Sequence, residues 1–268
     1  MTILEQIRIR RLTKLETIDD LRIDGVWLLA GDSAIDDLQP VGARSEYEYS
    51  FALVLCGDKL GCCYIEREIA LPGGWLGADA RLAWSDAPEW DLALLDALGP
   101  SIIRQPVWTR RLTGSPMVKR AARAKLICDV VAALGQDSSP TPGTNIVNIG
   151  AVGALLMELQ GRGFSVRACD LDPRLVGQRI GEVLIEPSSP TSSLIAGAQY
   201  ILVTGMTLTN NTLDEIVQEA SASGAQVIIY GQTGHGFVEL LDLGVTALVS
   251  ERFPPYVFAG ESQVDVFF

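Results

Sequence analysis

Along the chain, apolar positions change their spacing in a way that divides it. From residue 2 to 15 they recur at helical intervals among charges, and they recur so again from 116 to 134, where Ala121, Ala124, Cys128 and Val131 line one face. Two strand-like runs, 49–56 and 61–69, flank the turn Gly57-Asp58-Lys59 and predict a β-hairpin. After the stretch 135–143, crowded with Gly, Ser and Pro that neither helix nor strand tolerates, the rhythm changes. Short apolar runs at 145–149, 165–169, 183–185, 200–204, 226–230 and 246–249 alternate with helical patterns at 152–160, 173–180, 192–198, 213–223 and 237–243. That alternation predicts β-α-β units and a doubly wound, Rossmann-like parallel sheet. The expected fold class is α/β, with an α+β amino-terminal domain over 1–138 and a Rossmann-like domain over 144–268. No internal repeat or low-complexity tract interrupts it.

Composition narrows the partners. The 268 residues carry 33 acidic against 21 basic side chains, a formal charge of −12. Such a surface repels phosphate backbones, so neither nucleic acid nor an anionic membrane is an expected partner, although a local basic patch stays open. The carboxyl half holds the larger share of the negative charge and no lysine. The start MTILEQIRIRRLTKLE mixes charges into its apolar positions and does not resemble an export signal. Five cysteines without C-x-x-C spacing suit reduced thiols, so a cytoplasmic location is expected. The single histidine, His235, excludes any two-histidine metal helix, and no G-x-S-x-G elbow accompanies it.

Three loops follow predicted strands and are candidates for chemistry. Gly150 and Gly153 form a Gly-x-x-Gly turn at a helix start, and Asp170, with Asp172 beside it, falls about 20 positions later, where a ribose hydroxyl would be held. This reduced fingerprint suits S-adenosylmethionine, a nucleotide, or helix packing alone. Thr207, Thr209, Asn210 and Asn211 cluster before a helix whose Thr212 and Glu215 have capping-box spacing, a place receptive to a substrate anion or simply an extended cap. Gly231-Gln232-Thr233-Gly234-His235-Gly236 puts His235 at the same sheet edge, as a catalytic proton carrier, a metal ligand, an oxyanion donor or a plainly hydrogen-bonded side chain. The adjacent Cys62 and Cys63 point to opposite faces of a strand and read as core thiols.

The run TGMTLTNNTLDEIVQEA, followed by VIIYGQTGHGFVELLDLGVTALVSERF, resembles the heavy-metal-chelation family of bacterial and archaeal Rossmann-like proteins. The likeness lies in the Thr-rich turn and acidic helix start over 207–215, the polar loop over 231–235 and the Gly-Val helix end over 241–245. Asn211 stands where family members often have glycine, Cys128 where a helix asparagine is expected, and Thr233-Gly234-His235 where small residues and proline are usual. The resemblance implies an amino-terminal domain similar to the enolase amino-terminal domain, joined by a helix of small residues over 115–133. It also implies binding of a transition metal, or of a small metal-chelating metabolite, in the crevice between the domains; it assigns no metal ligand.

Two further functions stand beside that one. The Gly150 turn and Asp170 fit an enzyme using S-adenosylmethionine or a nucleotide on a small amino-acid-like or carboxylate substrate, so whether the chain is an enzyme stays open. The apolar end Val264-Asp265-Val266-Phe267-Phe268 fits a scaffold or homodimer contact, or an edge strand of the same chain.

Overall fold

The computed structural model describes residues 1–16, 18, 21–35, 45–135, 143–189, 191–253 and 260–268. The expected linker lies largely outside the described residues, and with it the expected end of the first domain at 138.

Helix α1 (Ile3–Leu15) starts at Thr2, whose side chain accepts from the Glu5 amide while Glu5 reaches back to the Thr2 amide. This capping box satisfies two donors that the first turn leaves orphaned. Ile3, Ile7, Arg11 and Leu15 form its buried face. Strands β1 (Gly25–Ile35), β2 (Ser45–Cys56) and β3 (Lys59–Ile65) make an antiparallel sheet, with the predicted hairpin turning at Gly57, φ +62°. Helix α2 (Pro88–Leu98) lies so close to β3 that a Cβ on Gly61 would stand 2.0 Å from the Ala93 carbonyl oxygen.

The second sheet has nine strands. In chain order they are β4 (Trp108–Leu112), β5 (Asn145–Ile149), β6 (Ser165–Asp170), β7 (Arg179–Ile180), β8 (Val183–Pro187), β9 (Tyr200–Thr204), β10 (Gln226–Gly231), β11 (Ala247–Glu251) and β12 (Ser262–Phe267). Their spatial order is β4-β12-β11-β10-β9-β5-β6-β8-β7, with six parallel strands in the middle and antiparallel β4, β12 and β7 outside them. Helices α3 (Pro116–Leu134) and α4 (Gly153–Gly161) share a core with one face through Ile146, Leu202 and Ile228. The alternate residues Val147, Ile149, Ile201, Val203 and Ile229 pack on the other side with α6 (Leu213–Ser223), α1 and α2. Period-two burial on both faces explains why these strands read as continuous apolar runs. Helix α5 (Thr191–Ile195) lies between β8 and β9. The chain is thus mixed α/β with one large, mostly parallel sheet, and β4 and α3 join that sheet from the amino-terminal side of the turn-rich stretch.

Several expectations are corrected. No helix occupies 173–180: Asp172 accepts from the Arg174 amide, Gly177 and Gly181 take positive φ, and the segment turns into the two-residue strand β7. The segment Val238–Leu243 is a 3-10 helix rather than an α-helix. The carboxyl-terminal strand is not an edge but lies between β11 and β4, with Val264 and Val266 fully buried, so it is core of its own chain.

Candidate functional site

The sheet reverses direction of winding between β5 and β9, and the crevice outside the carboxyl ends of these strands is where ligands of doubly wound folds gather. Gly150 turns the chain there with φ +85°, and a Cβ on it would meet Thr204 at 2.9 Å. Below the turn, buried Asn148 donates to the Tyr230 hydroxyl (2.9 Å) and to the Leu202 carbonyl (3.2 Å), while Tyr230 donates to the Gly150 carbonyl (3.3 Å). Burial raises the Tyr230 phenol, which keeps it a neutral donor. Gly153 is buried as the first residue of α4.

Asp170 ends β6 beside this turn. Its Oδ2 accepts from the Ala151 amide at 2.7 Å and its Oδ1 from the Asp172 amide at 2.8 Å, so the expected ribose acceptor also braces the turn. Asp172 pairs with Arg174 at 2.7 Å, and that hydrogen bond holds its carboxyl below the usual range. Across the crevice, Glu66 follows β3. Loss of solvent around it, then the charges of Asp170, Asp172 and Glu89, push its carboxyl up. Glu89 is answered by Arg67 at 2.9 Å, whereas the described residues give Glu66 no cationic partner.

The Thr/Asn cluster folds on itself. Thr207 Oγ1 donates to the Thr204 carbonyl (2.9 Å) and Thr209 Oγ1 to that of Met206 (2.7 Å), within and just after the 3-10 helix Gly205–Leu208. The expected capping box is absent: Thr212 makes no side-chain cap bond, and Asn210 Oδ1 instead accepts from the Thr212 amide and hydroxyl. Asn211 takes φ +58°, a left-handed conformation that glycine adopts most readily and asparagine tolerates.

His235 sits at the other end of the edge. Its Nδ1 is 3.5 Å from Asp96 Oδ1 on α2, longer than a good hydrogen bond, and Asp96 Oδ2 accepts from the Cys62 amide at 3.0 Å. Next to it, buried Thr233 Oγ1 accepts from the Tyr64 amide (2.9 Å), tying the first sheet to the β10 loop. Gly205 permits that closure, because a Cβ there would lie 1.9 Å from the Thr233 carbonyl oxygen. Among the described residues no hydrogen bond or ion pair links His235 to the Asp170 or Thr207 groups, so three clusters lie along one edge. A cavity of about 230 Å³ lies at the opposite, amino edge of the sheet, lined by Asn145, Ser165, Arg167 and Gly197, and Arg167 there is held by Glu186 at 2.9 Å.

The donor set of the described residues does not fit a resident metal ion. Among the described residues no three His, Cys, Asp or Glu side chains come together to hold one. All five cysteines are buried, and burial pushes Cys56 up to about 11 and Cys128 and Cys169 to about 12, away from the thiolate that metals require.

The loops along this edge, from the Gly150 turn through the 205–212 turn to the 231–236 loop, all lie within one family match. Residues 133–253 match DUF364, described as "Putative heavy-metal chelation". The DUF364 match runs from the end of α3 to just past β11 and includes every parallel strand. A solved DUF364 protein of unknown function from Desulfitobacterium hafniense DCB-2 is 11% identical, covers 98% of each chain and superposes with a TM-score of 0.58. Another DUF364 protein of unknown function, from Pyrococcus horikoshii, is 16% identical, covers 93% of this chain and 87% of its own, and has a TM-score of 0.52. At these identities the likeness shows the fold alone. No curated protein matches the sequence.

Sequence reasoning missed Glu66, Asp96, Asn148 and Tyr230. Asn148 and Tyr230 carried one usable signal, since each is a polar-tipped residue inside an otherwise apolar central strand. Glu66 follows β3 and Asp96 lies on α2, and only the tertiary arrangement brings them near the carboxyl edge of the large sheet.

Proposed function

We propose that the chain binds a small cationic or zwitterionic metabolite, or one charged by its own metal ion, in the crevice between the first sheet and the carboxyl edge of the large sheet. One observation carries the reading: Glu66, which has no cationic partner among the described residues, is raised first by burial and then by the nearby charges of Asp170, Asp172 and Glu89. A cation beside it offsets those charges. The family description supports metal chelation, and a metabolite that brings its own ligands reconciles that description with the lack of a preformed metal cage. In this reading the amino-terminal sheet, taken as the enolase-like layer of the resemblance, closes over the ligand, and the reduced thiols suit a cytoplasmic protein.

The second reading is an S-adenosylmethionine-dependent enzyme, favoured by Asp170 standing at the end of the strand beside the glycine turn. A bare nucleotide diphosphate is the poorer fit, because Asp170 already occupies the Ala151 amide that a phosphate would use.

Native mass spectrometry of untagged protein taken directly from cells, with elemental analysis of the same sample, tests both. A co-purifying small mass that disappears in Glu66→Gln and Asp170→Asn variants supports the reading, and its identity separates the two. Absence of any bound mass, with no thermal shift from polyamines, basic amino acids, S-adenosylmethionine or metal–citrate complexes, overturns them.

A further inference from the structure

The 32 residues from 97 to 128 contain seven arginines and lysines and no acidic residue, in a chain of net charge −12. The same stretch exposes four large apolar side chains, Ile103, Val107, Met117 and Val118, the first of them 84% accessible. The fold gathers its middle part at one edge. β4 is an outermost strand of the large sheet, and three residues separate it from α3. Leu112 and Trp108 join the core beneath α3, so Arg110 shares their face of the sheet while Arg111 points to the other.

Some of these cations are engaged. Arg104 pairs with Asp242, Arg123 with buried Glu251, and Lys119 donates to the Gly260 carbonyl. Arg111 approaches Glu261 only at 3.5 Å with both side chains exposed, and Arg110, Arg120 and Lys125 have no acidic partner among the described residues. No strand lies on the outer side of β4 among the described residues.

We propose that this edge is a docking surface for an extended acidic segment of a partner protein, which adds as a further strand beside β4. The outer backbone groups of β4 supply the hydrogen-bonding ladder, as in other strand additions. Charge selects the occupant. A second copy of the chain pairing through β4 would set Arg110 and Arg111 against their own counterparts, which is how edge strands resist self-association. A long polyanion or an anionic bilayer would meet the remaining, strongly acidic surface. A short acidic strand with alternate apolar residues complements the arginines and the exposed Val107, Met117 and Val118 without that penalty.

The test uses the full chain and a fluorescein-labelled peptide of alternating glutamate and valine, followed by anisotropy. Binding is expected at low salt, and it should weaken by about tenfold or more in high salt and in the Arg110→Glu/Arg111→Glu variant, whose thermal unfolding should match wild type because both side chains are exposed. The same peptide N-methylated at alternate residues keeps its charge but cannot form a ladder, and it should not bind. Equal binding of the methylated peptide, no binding of either peptide, or binding only to vesicles rich in phosphatidylglycerol would each overturn the proposal. An intact, folded charge-reversal variant that binds the peptide as well as wild type would do the same.

Discussion

Asp170 and Ala151 are joined by a hydrogen bond of 2.7 Å from the Ala151 amide to Oδ2, while Oδ1 receives the Asp172 amide at 2.8 Å. One carboxylate thus fastens the β5–α4 turn to the segment leaving β6. An Asp170→Ala substitution strips a charged acceptor from two amides at once, and the expected loss is about 1.5–3 kcal/mol. Asp170→Asn retains one acceptor and should lose less. Urea unfolding at neutral pH checks this; wild-type stability in Asp170→Ala would mean that the turn is held by Asn148 and Tyr230 alone.

A second prediction concerns the only arginine–carboxylate pair among the described residues with both side chains fully buried. Arg11 on α1 donates Nε and Nη2 to Glu239 at 3.0 and 2.8 Å, donates Nη2 also to the Gly236 carbonyl and Nη1 to the Leu95 carbonyl, and lies over the Phe237 ring. Burial alone would raise the Glu239 carboxyl, but the hydrogen bonds and charge of Arg11, with the Ser101 amide, hold it below its ordinary value. The stability from this depression is fully present above the unfolded carboxyl pKa of about 4.3 and is lost as pH falls through the lower folded value. Arg11→Met should cost about 3–5 kcal/mol, because it leaves a buried carboxylate alone, and the double change Arg11→Met/Glu239→Leu should recover much of that loss. Chemical unfolding of the three variants checks the cycle.

The parts of this fold that were legible in the sequence are those whose burial leaves a period. α1, α3 and α6 show a stripe of apolar residues, and β5, β9 and β10 show short runs fenced by turn formers, so their bounds could be read closely. α2 could not: it is buried on nearly every side between α1 and the first sheet, so PEWDLALLDAL has no polar face, and its start at Ala87 carries no capping side chain. β4 is short, and its WTRRL mixes edge charges with one buried leucine. At the edge of the large sheet, the Gly150 turn and Asp170 were visible because backbone geometry restricts residue choice there. Glu66 and Asp96 were not, because their relation to that edge depends on how the first sheet packs on the second.

The five thiols give a third prediction. All are buried, and burial drives each toward the protonated form, with Cys62 and Cys63 opposed as well by nearby carboxylates. The native protein should therefore react only slowly with a disulfide reagent at mildly alkaline pH, and all five should react once the chain is unfolded in guanidinium. Rapid reaction of one native thiol would mark a segment that opens locally.

Glu66 supplies the last prediction, and its sign is opposite to that of Glu239. A carboxyl raised in the folded state is harder to ionise there than in the unfolded chain, so its charge opposes folding wherever it is ionised. The penalty is fully present above the folded pKa and disappears below the unfolded value of about 4.3. Glu66→Gln should therefore raise the melting temperature at neutral pH, and the difference should shrink as the pH is lowered toward 4. The same variant should bind a cationic ligand less well at neutral pH, since it removes the charge that such a ligand would neutralise. Higher stability with weaker binding is the pairing expected of a residue that serves the crevice rather than the fold; thermal melts with and without ligand, across pH, read both quantities from one protein. A melting temperature unchanged by Glu66→Gln at neutral pH would show that neither burial nor the charges of Asp170 and Asp172 penalise the ionised Glu66, and would remove the reason for placing a cation beside it.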